Sequence, residues 1–254
     1  MNNTDSFDTQ TVLDIQNVRY TYHDGRQALH GVSFRVKRGE KIGLAGPNGA
    51  GKSTLFTLLA GIRRPTTGRI SIMNKPLTPG CAGILRRHAG LVFQDPDDQL
   101  FCPTVFDDVA FAPLNMGLSP AEVQRAVDQA LNDVDLSGYE RRSSFHLSYG
   151  ERKRLAIATV LSFSPEILLL DEPSANLDPR HRRQIINLAR TLPQTMLIAT
   201  HDLDLVLDVC TRCMILNEGL IVADGEAHLI LSDEKLLLAN SLELPLSHQR
   251  HYGR

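Results

Sequence analysis

Three things are scarce in this 254-residue sequence: an excess of positive charge, cysteine, and long apolar runs. Lys and Arg number 27 against 29 Asp and Glu, a net charge of -2, so no global basic field draws the chain onto nucleic acid. Four cysteines are too few for a disulfide framework and point to a reducing compartment. The longest strongly apolar stretch, Ile167–Leu170, has the length of a strand, far short of the roughly 18 residues that a membrane span needs. The first ten residues are polar and carry Asp5 and Asp8, the reverse of a signal peptide. Tandem repeats, low-complexity tracts and coiled-coil heptads are also missing. These absences describe a soluble, cytoplasmic protein that would borrow a membrane if it works at one.

What is present is ordinary for a globular chain: 42% hydrophobic and 22% charged residues, enough to bury a sizeable core in one or two domains. Short β-like runs alternate with longer helical ones, which predicts an α/β fold with a largely parallel sheet. Val12 to Val36 instead reads as alternating strands broken by a hairpin signal at His23-Asp24-Gly25. Ile42 and Leu44 lead into Gly46, and a helix begins near Lys52, with Leu55, Leu58, Leu59 and Ile62 on its apolar face and Gly61 and Pro65 ending it. From about Asp95 to Ser164 the pattern is mainly helical. Ser119-Pro120-Ala121-Glu122 forms a capping box there, with Val123, Val127, Ala130, Leu131 and Val134 behind it. Ile167–Leu170 and Met196–Ala199 read as strands covered on both faces. The expected division is a core over 12–94 and 165–232, a helical insert over 95–164 and a tail over 233–254.

Two local patterns carry chemistry. Gly46-Pro47-Asn48-Gly49-Ala50-Gly51-Lys52-Ser53-Thr54 fits the phosphate-binding P-loop, G-x-x-x-x-G-K-[ST], and stands between a strand and a helix as that motif requires. Its glycines let successive N–H groups point at a phosphate, and the helix start adds partial positive charge. Lys52 neutralises β/γ-phosphate charge, and the Ser53 hydroxyl can ligate Mg²⁺. The second pattern is an apolar strand that ends in two carboxylates, Asp171 and Glu172, at the sheet edge where such folds bind ligands. Asp171 is placed to hold Mg²⁺, and Glu172 to take a proton from an attacking water.

With these motifs the chain resembles the ATPase subunit of an ATP-binding cassette (ABC) transporter over about residues 12 to 230. Gln94 in Val92-Phe93-Gln94-Asp95 resembles the Q-loop, Leu147-Ser148-Tyr149-Gly150-Glu151 the signature, Ser174-Ala175-Asn176-Leu177-Asp178 the D-loop, and His201 the switch histidine. Tyr22 sits where the family stacks an aromatic on adenine. The resemblance implies a P-loop NTPase core with a mainly parallel sheet, an N-terminal antiparallel β subdomain and a helical subdomain insert. It implies ATP and Mg²⁺ as ligands, with Ser53, Gln94 and Asp171 toward the metal and Glu172, His201, Gln94 and Lys52 in catalysis. It also implies a head-to-tail pair, a homodimer in the simplest case, in which Ser148, Tyr149, Gly150 and Asp178 of one copy meet the ATP of the other. Integral membrane subunits would dock near Gln94–Phe111, on the cytoplasmic face of the membrane. Tyr149 and Glu151 depart from the usual Leu-Ser-Gly-Gly-Gln, and a positive φ at Tyr149 would be strained.

The stretch Phe93 to Phe101, followed by Val105 to Phe111, is similar to energy-coupling-factor ATPases. The Leu-Ser-Tyr-Gly-Glu run and the tail Leu242-Glu243-Leu244-Pro245 are most similar to the cobalt/nickel branch. A vitamin or other small solute, or a soluble ABC ATPase without transport, are the alternatives. Other features read as structural. Cys210 and Cys213 belong to a half-buried core, and His23, His30, His88, His146, His181 and His228 to surface or turns. His248 and His251 fall in a tail that could favour metal. The Arg pairs 63–64, 86–87, 141–142 and 182–183 and the charges of Glu151-Arg152-Lys153-Arg154 read as solvated faces.

Overall fold

The computed structural model describes residues 10–78, 83 and 87–249, so Asp5, Asp8, Arg86 and His251 lie outside the described residues. β1 (Thr11–Thr21) and β2 (Gln27–Lys37) pair antiparallel around the turn at His23-Asp24-Gly25. β3 (Lys41–Ala45) runs into the glycine-rich loop and α1 (Lys52–Leu59). The chain then returns as β4 (Thr67–Ile72) beside β1 and adds the short β5 (Lys75–Pro76). This gives a four-stranded antiparallel sheet of order β2-β1-β4-β5.

The second sheet starts with β6 (Ala89–Val92). Three helices follow: α2 (Val105–Asn115), α3 (Pro120–Asp133) and α4 (Tyr149–Leu161). Next come β7 (Ile167–Asp171), α5 (Pro179–Thr191), β8 (Thr195–Ala199), α6 (Leu203–Val209), β9 (Arg212–Asn217) and β10 (Leu220–Glu226). The order β10-β9-β3-β8-β7-β6 is parallel throughout except for β10. Three short helices end the described chain: α7 (Ala227–Ser232), α8 (Glu234–Ala239) and α9 (Leu246–Gln249).

Alternation along the central strands explains the layering. On β7, Leu168 and Leu170 join the core with α2 to α6, while Ile167 and Leu169 join the core with α1 and the antiparallel sheet. Both faces are covered, so these strands tolerate no charge until their C-terminal ends. A fully buried Leu contributes about 1.5–3 kcal/mol relative to exposure. The carboxylates therefore sit where the apolar run stops. The capping box at Ser119 and Glu122 is formed, and Ser148 and Glu151 make a second one at the start of α4.

Three expectations need correction. Ile62 does not extend the apolar face of α1 and is 52% exposed. Gly61 adopts φ 67°, and the Ile62 and Gly61 amides donate back to the carbonyls of Thr57 and Leu58, a Schellman cap that turns the chain away first. Lys153 and Arg154 are buried, not solvated, because α4 lies across the sheet beside β6 and presents that side of its turn inward. Arg182 is not a free surface charge: it makes a bidentate pair with Asp202 at 2.6 and 2.8 Å, tying α5 to the start of α6.

Candidate nucleotide site

The loop between β3 and α1 is shaped by contacts that exclude side chains. Gly46 has φ 156° and Gly51 φ 107°, and a Cβ on them would fall 2.1 Å from the Leu216 carbonyl oxygen and 2.7 Å from that of Ala28. A cavity of about 560 Å³ opens beside this loop, lined by Asn48 to Thr54 together with Tyr22, Gln94, Asp171 and Glu172. The Lys52 ammonium donates to the carbonyls of Gly46 and Pro47 at 2.6 and 3.1 Å, so it is fixed across the loop it serves. Burial lowers its pKa, and Glu172 and Asp171 act in the opposite direction.

Asp171 closes β7 and accepts a hydrogen bond from the Ser53 hydroxyl. Its carboxyl is raised by burial above the ordinary aspartate range, and its Oδ1 is buried without a hydrogen-bond partner. A buried, unpartnered carboxylate oxygen beside a serine hydroxyl is the hard oxygen donor set that suits Mg²⁺. Glu172 follows at φ 45°, a left-handed conformation that costs a side-chain-bearing residue about 1–2 kcal/mol. Its amide donates to the Ala199 carbonyl at 2.8 Å, and its carboxylate accepts from the Thr200 hydroxyl at 3.0 Å. The His201 ring nitrogen Nδ1 lies 2.9 Å from the same carboxylate. The strain is thus held from both ends of the residue.

Tyr22 donates to or accepts from the Thr54 hydroxyl at 2.7 Å, and the Arg26 and Arg63 guanidinium groups lie 4.7 and 5.2 Å from its ring centre. Gln94, just past β6, lines the same cavity. Ser148, Tyr149, Gly150 and Asp178 do not line it, and neither does His201, which borders a second groove on the α6 side. Ser148 caps α4, and Tyr149 is its first helical residue without a positive φ, so the feared strain is absent. Gly150 is packed so closely on His181 that a Cβ would meet the ring at 2.3 Å. Asp178 caps α5 and accepts from both the backbone and the ring of His181.

Sequence reading missed Lys153. Only 1% exposed, it donates to the carbonyl of Gln94 at 2.5 Å and to that of Glu172 at 2.9 Å. Burial pushes its ammonium down to about 8, against the pull of Asp171, Asp95 and Glu172. Lys52, Lys153, Asp171 and Glu172 are all buried. Arg26 and Glu218 also line the cavity and carried no sequence signal. Cys210 and Cys213 are buried free thiols; burial pushes Cys213 up to about 12 and raises Cys210 as well, which suits packing and not chemistry. His88 and His181 are half-buried against Glu166 and Asp178 at 2.8 and 2.7 Å. Among the described residues, no cluster of three His, Cys, Asp or Glu could hold a metal ion by itself.

A family model described as ABC transporter matches residues 29–175. A putative ABC transporter ATP-binding protein of Streptomyces avermitilis is 49% identical over 233 residues, which cover 92% of this chain and 89% of that one. The energy-coupling factor transporter ATP-binding protein EcfA of Methanococcus maripaludis is 42% identical over 239 residues, covering 92% and 86%. Among solved structures, cbiO1 of Clostridium perfringens, described as part of the ABC transporter complex cbiONQ, superposes with a TM-score of 0.80 at 38% identity, over 91% of this chain and 94% of that one. The dimeric post-hydrolysis state of the cassette MJ0796 bound to ADP and Pi gives a TM-score of 0.76 at 27% identity, over 85% and 98%.

Proposed function

The chain belongs to the ABC transporter family as an ATP-binding subunit, and from that premise we propose that it hydrolyses ATP to drive a micronutrient importer at the cytoplasmic face of the membrane. The observation that carries the reading is the meeting of the P-loop, Asp171 and Glu172 in one cavity, with His201 fixed on the Glu172 carboxylate. In this reading the amides of Gly46 to Thr54 and the Lys52 ammonium bind the phosphates, and Tyr22 takes the base. Ser53, Asp171 and Gln94 would hold Mg²⁺, which supplies charge neutralisation at the phosphates when bound. Glu172 accepts the proton of the attacking water, and His201 orients its carboxylate. Most of the rate comes from positioned charge, so an isolated copy turns over slowly.

A second copy completes the site by bringing Ser148, Tyr149, Gly150 and Asp178 across to the phosphates. Among the described residues no helix is long and apolar enough to cross a membrane, and in this reading integral membrane subunits carry the transport path. Their dock lies along Gln94–Phe111, where Phe101 and Phe111 are exposed and stack edge to face at 5.0 Å. Cobalt or nickel is the proposed cargo, on the similarity of the Leu147–Glu151 stretch and of the tail Leu242-Glu243-Leu244-Pro245 to the cobalt/nickel branch.

Glu172→Gln tests the catalytic assignment. Turnover should fall by about 10²-fold or more, and an ATP-bound dimer should accumulate in size-exclusion chromatography. Unchanged turnover would remove Glu172 from the role given to it.

A further inference from the structure

Parallel strands leave their last carbonyls without ladder partners at the C-terminal edge, and buried carbonyls need donors. Just past the ends of β6 and β7 stand the carbonyls of Gln94 and Glu172, and one side chain from α4 serves both: Lys153, at 2.5 and 2.9 Å. A lysine ammonium has three protons and a flexible stem, so it can bridge two acceptors that face different ways. Burying it is costly unless it is paired, and here the buried carboxylates of Asp171 and Glu172 share its surroundings. The bond to Glu172 falls on a residue held at φ 45°, where the backbone would relax if released. The same helix begins at Ser148, the signature serine.

We propose that Lys153 is a positioning residue for hydrolysis: its ammonium clamps the main-chain carbonyls of Gln94 and Glu172, holding the Glu172 carboxylate in register with the phosphate cavity and tying that register to the Gln94 loop and helix α4. The proposal rests on Glu172 acting as the base. Lys153 does not line the cavity; it fixes where the carboxylate stands. A displacement of the Gln94 loop therefore reaches Glu172 through one side chain. Misplacing a reacting group by about 1 Å can cost on the order of 10²-fold in rate.

Lys153→Met keeps the stem and removes the donors. Measured at protein concentrations where the dimer forms, kcat should drop about tenfold or more while KM for Mg-ATP stays within about twofold. Lys153→Gln restores an amide with two protons and should recover kcat to within about threefold of the original chain. Thermal melting and nucleotide affinity of both variants are recorded on the same preparations. Wild-type kcat in Lys153→Met overturns the proposal. So does a joint loss of melting temperature, affinity and kcat that Gln does not rescue, since that pattern marks a purely structural lysine. The unsubstituted chain assayed alongside separates the two readings: if it fails to hydrolyse ATP, the ATPase assignment falls and this proposal with it.

Discussion

At the scale of single residues, the ammonium of Lys52 is held over its own loop by two carbonyls, so its loss removes charge and also unpins the loop. Lys52→Ala should weaken Mg-ATP binding by at least about tenfold in a fluorescent-nucleotide titration, with a far smaller change in melting temperature. Unaltered affinity would undo the phosphate assignment. The glycine loop, Asp171 and Glu172 were legible in the sequence because each is short-range, a motif of fixed spacing or a carboxylate at the end of an apolar run, whereas His201 was named only through the family resemblance. Lys153 was not, because Glu151-Arg152-Lys153-Arg154 is indistinguishable from an exposed helical turn until β6 and β7 bring two carbonyls beneath it. Arg182 was hidden for the same reason, since its partner Asp202 stands 20 residues away.

Among elements, that pair joins α5 to α6. Burial opposes charge on Asp202, yet the Arg182 guanidinium and the Leu205 amide outweigh it and hold the carboxyl below the ordinary aspartate range. A depressed carboxylate contributes stability at pH above its unfolded value of about 3.9, and that contribution is lost as pH falls through its folded value. Asp202→Asn should therefore lower the melting temperature at pH 7 and flatten the acid limb below about pH 4. Removing a charge-assisted bond of this kind costs on the order of 1–3 kcal/mol. An unchanged acid limb in calorimetry would assign the stabilisation elsewhere. The hairpin, the capping box at Ser119 and the strands read at Ile167–Leu170 and Met196–Ala199 were all readable from punctuation and periodicity. The end of α1 was misjudged at Ile62 because apolar spacing continues across Gly61, whereas the hydrogen bonds stop there.

Taken whole, the starts of α4 and α5, with Ser148 and Asp178 as their caps, do not line the cavity beside the glycine loop, which in the proposed reading leaves each chain with two half-sites. Activity should then depend on pairing. Specific turnover is expected to rise with protein concentration, and light scattering of Glu172→Gln should show about twice the monomer mass with ATP and the monomer mass without it. A concentration-independent rate would mean that each copy is complete alone. The cavity has one further attachment. The Gly219 amide donates to the Ala50 carbonyl within the P-loop at 3.0 Å, and the Gly219 carbonyl accepts from the His30 amide of β2 at 2.9 Å. A single residue thus splices the antiparallel sheet to the glycine-rich loop, and a swing of the sheet on the core would pull on that loop. Stiffness gained when the loop grips a nucleotide must pass outward along the same splice, and slowed deuterium uptake at the amides of Gly219 and His30 would register it.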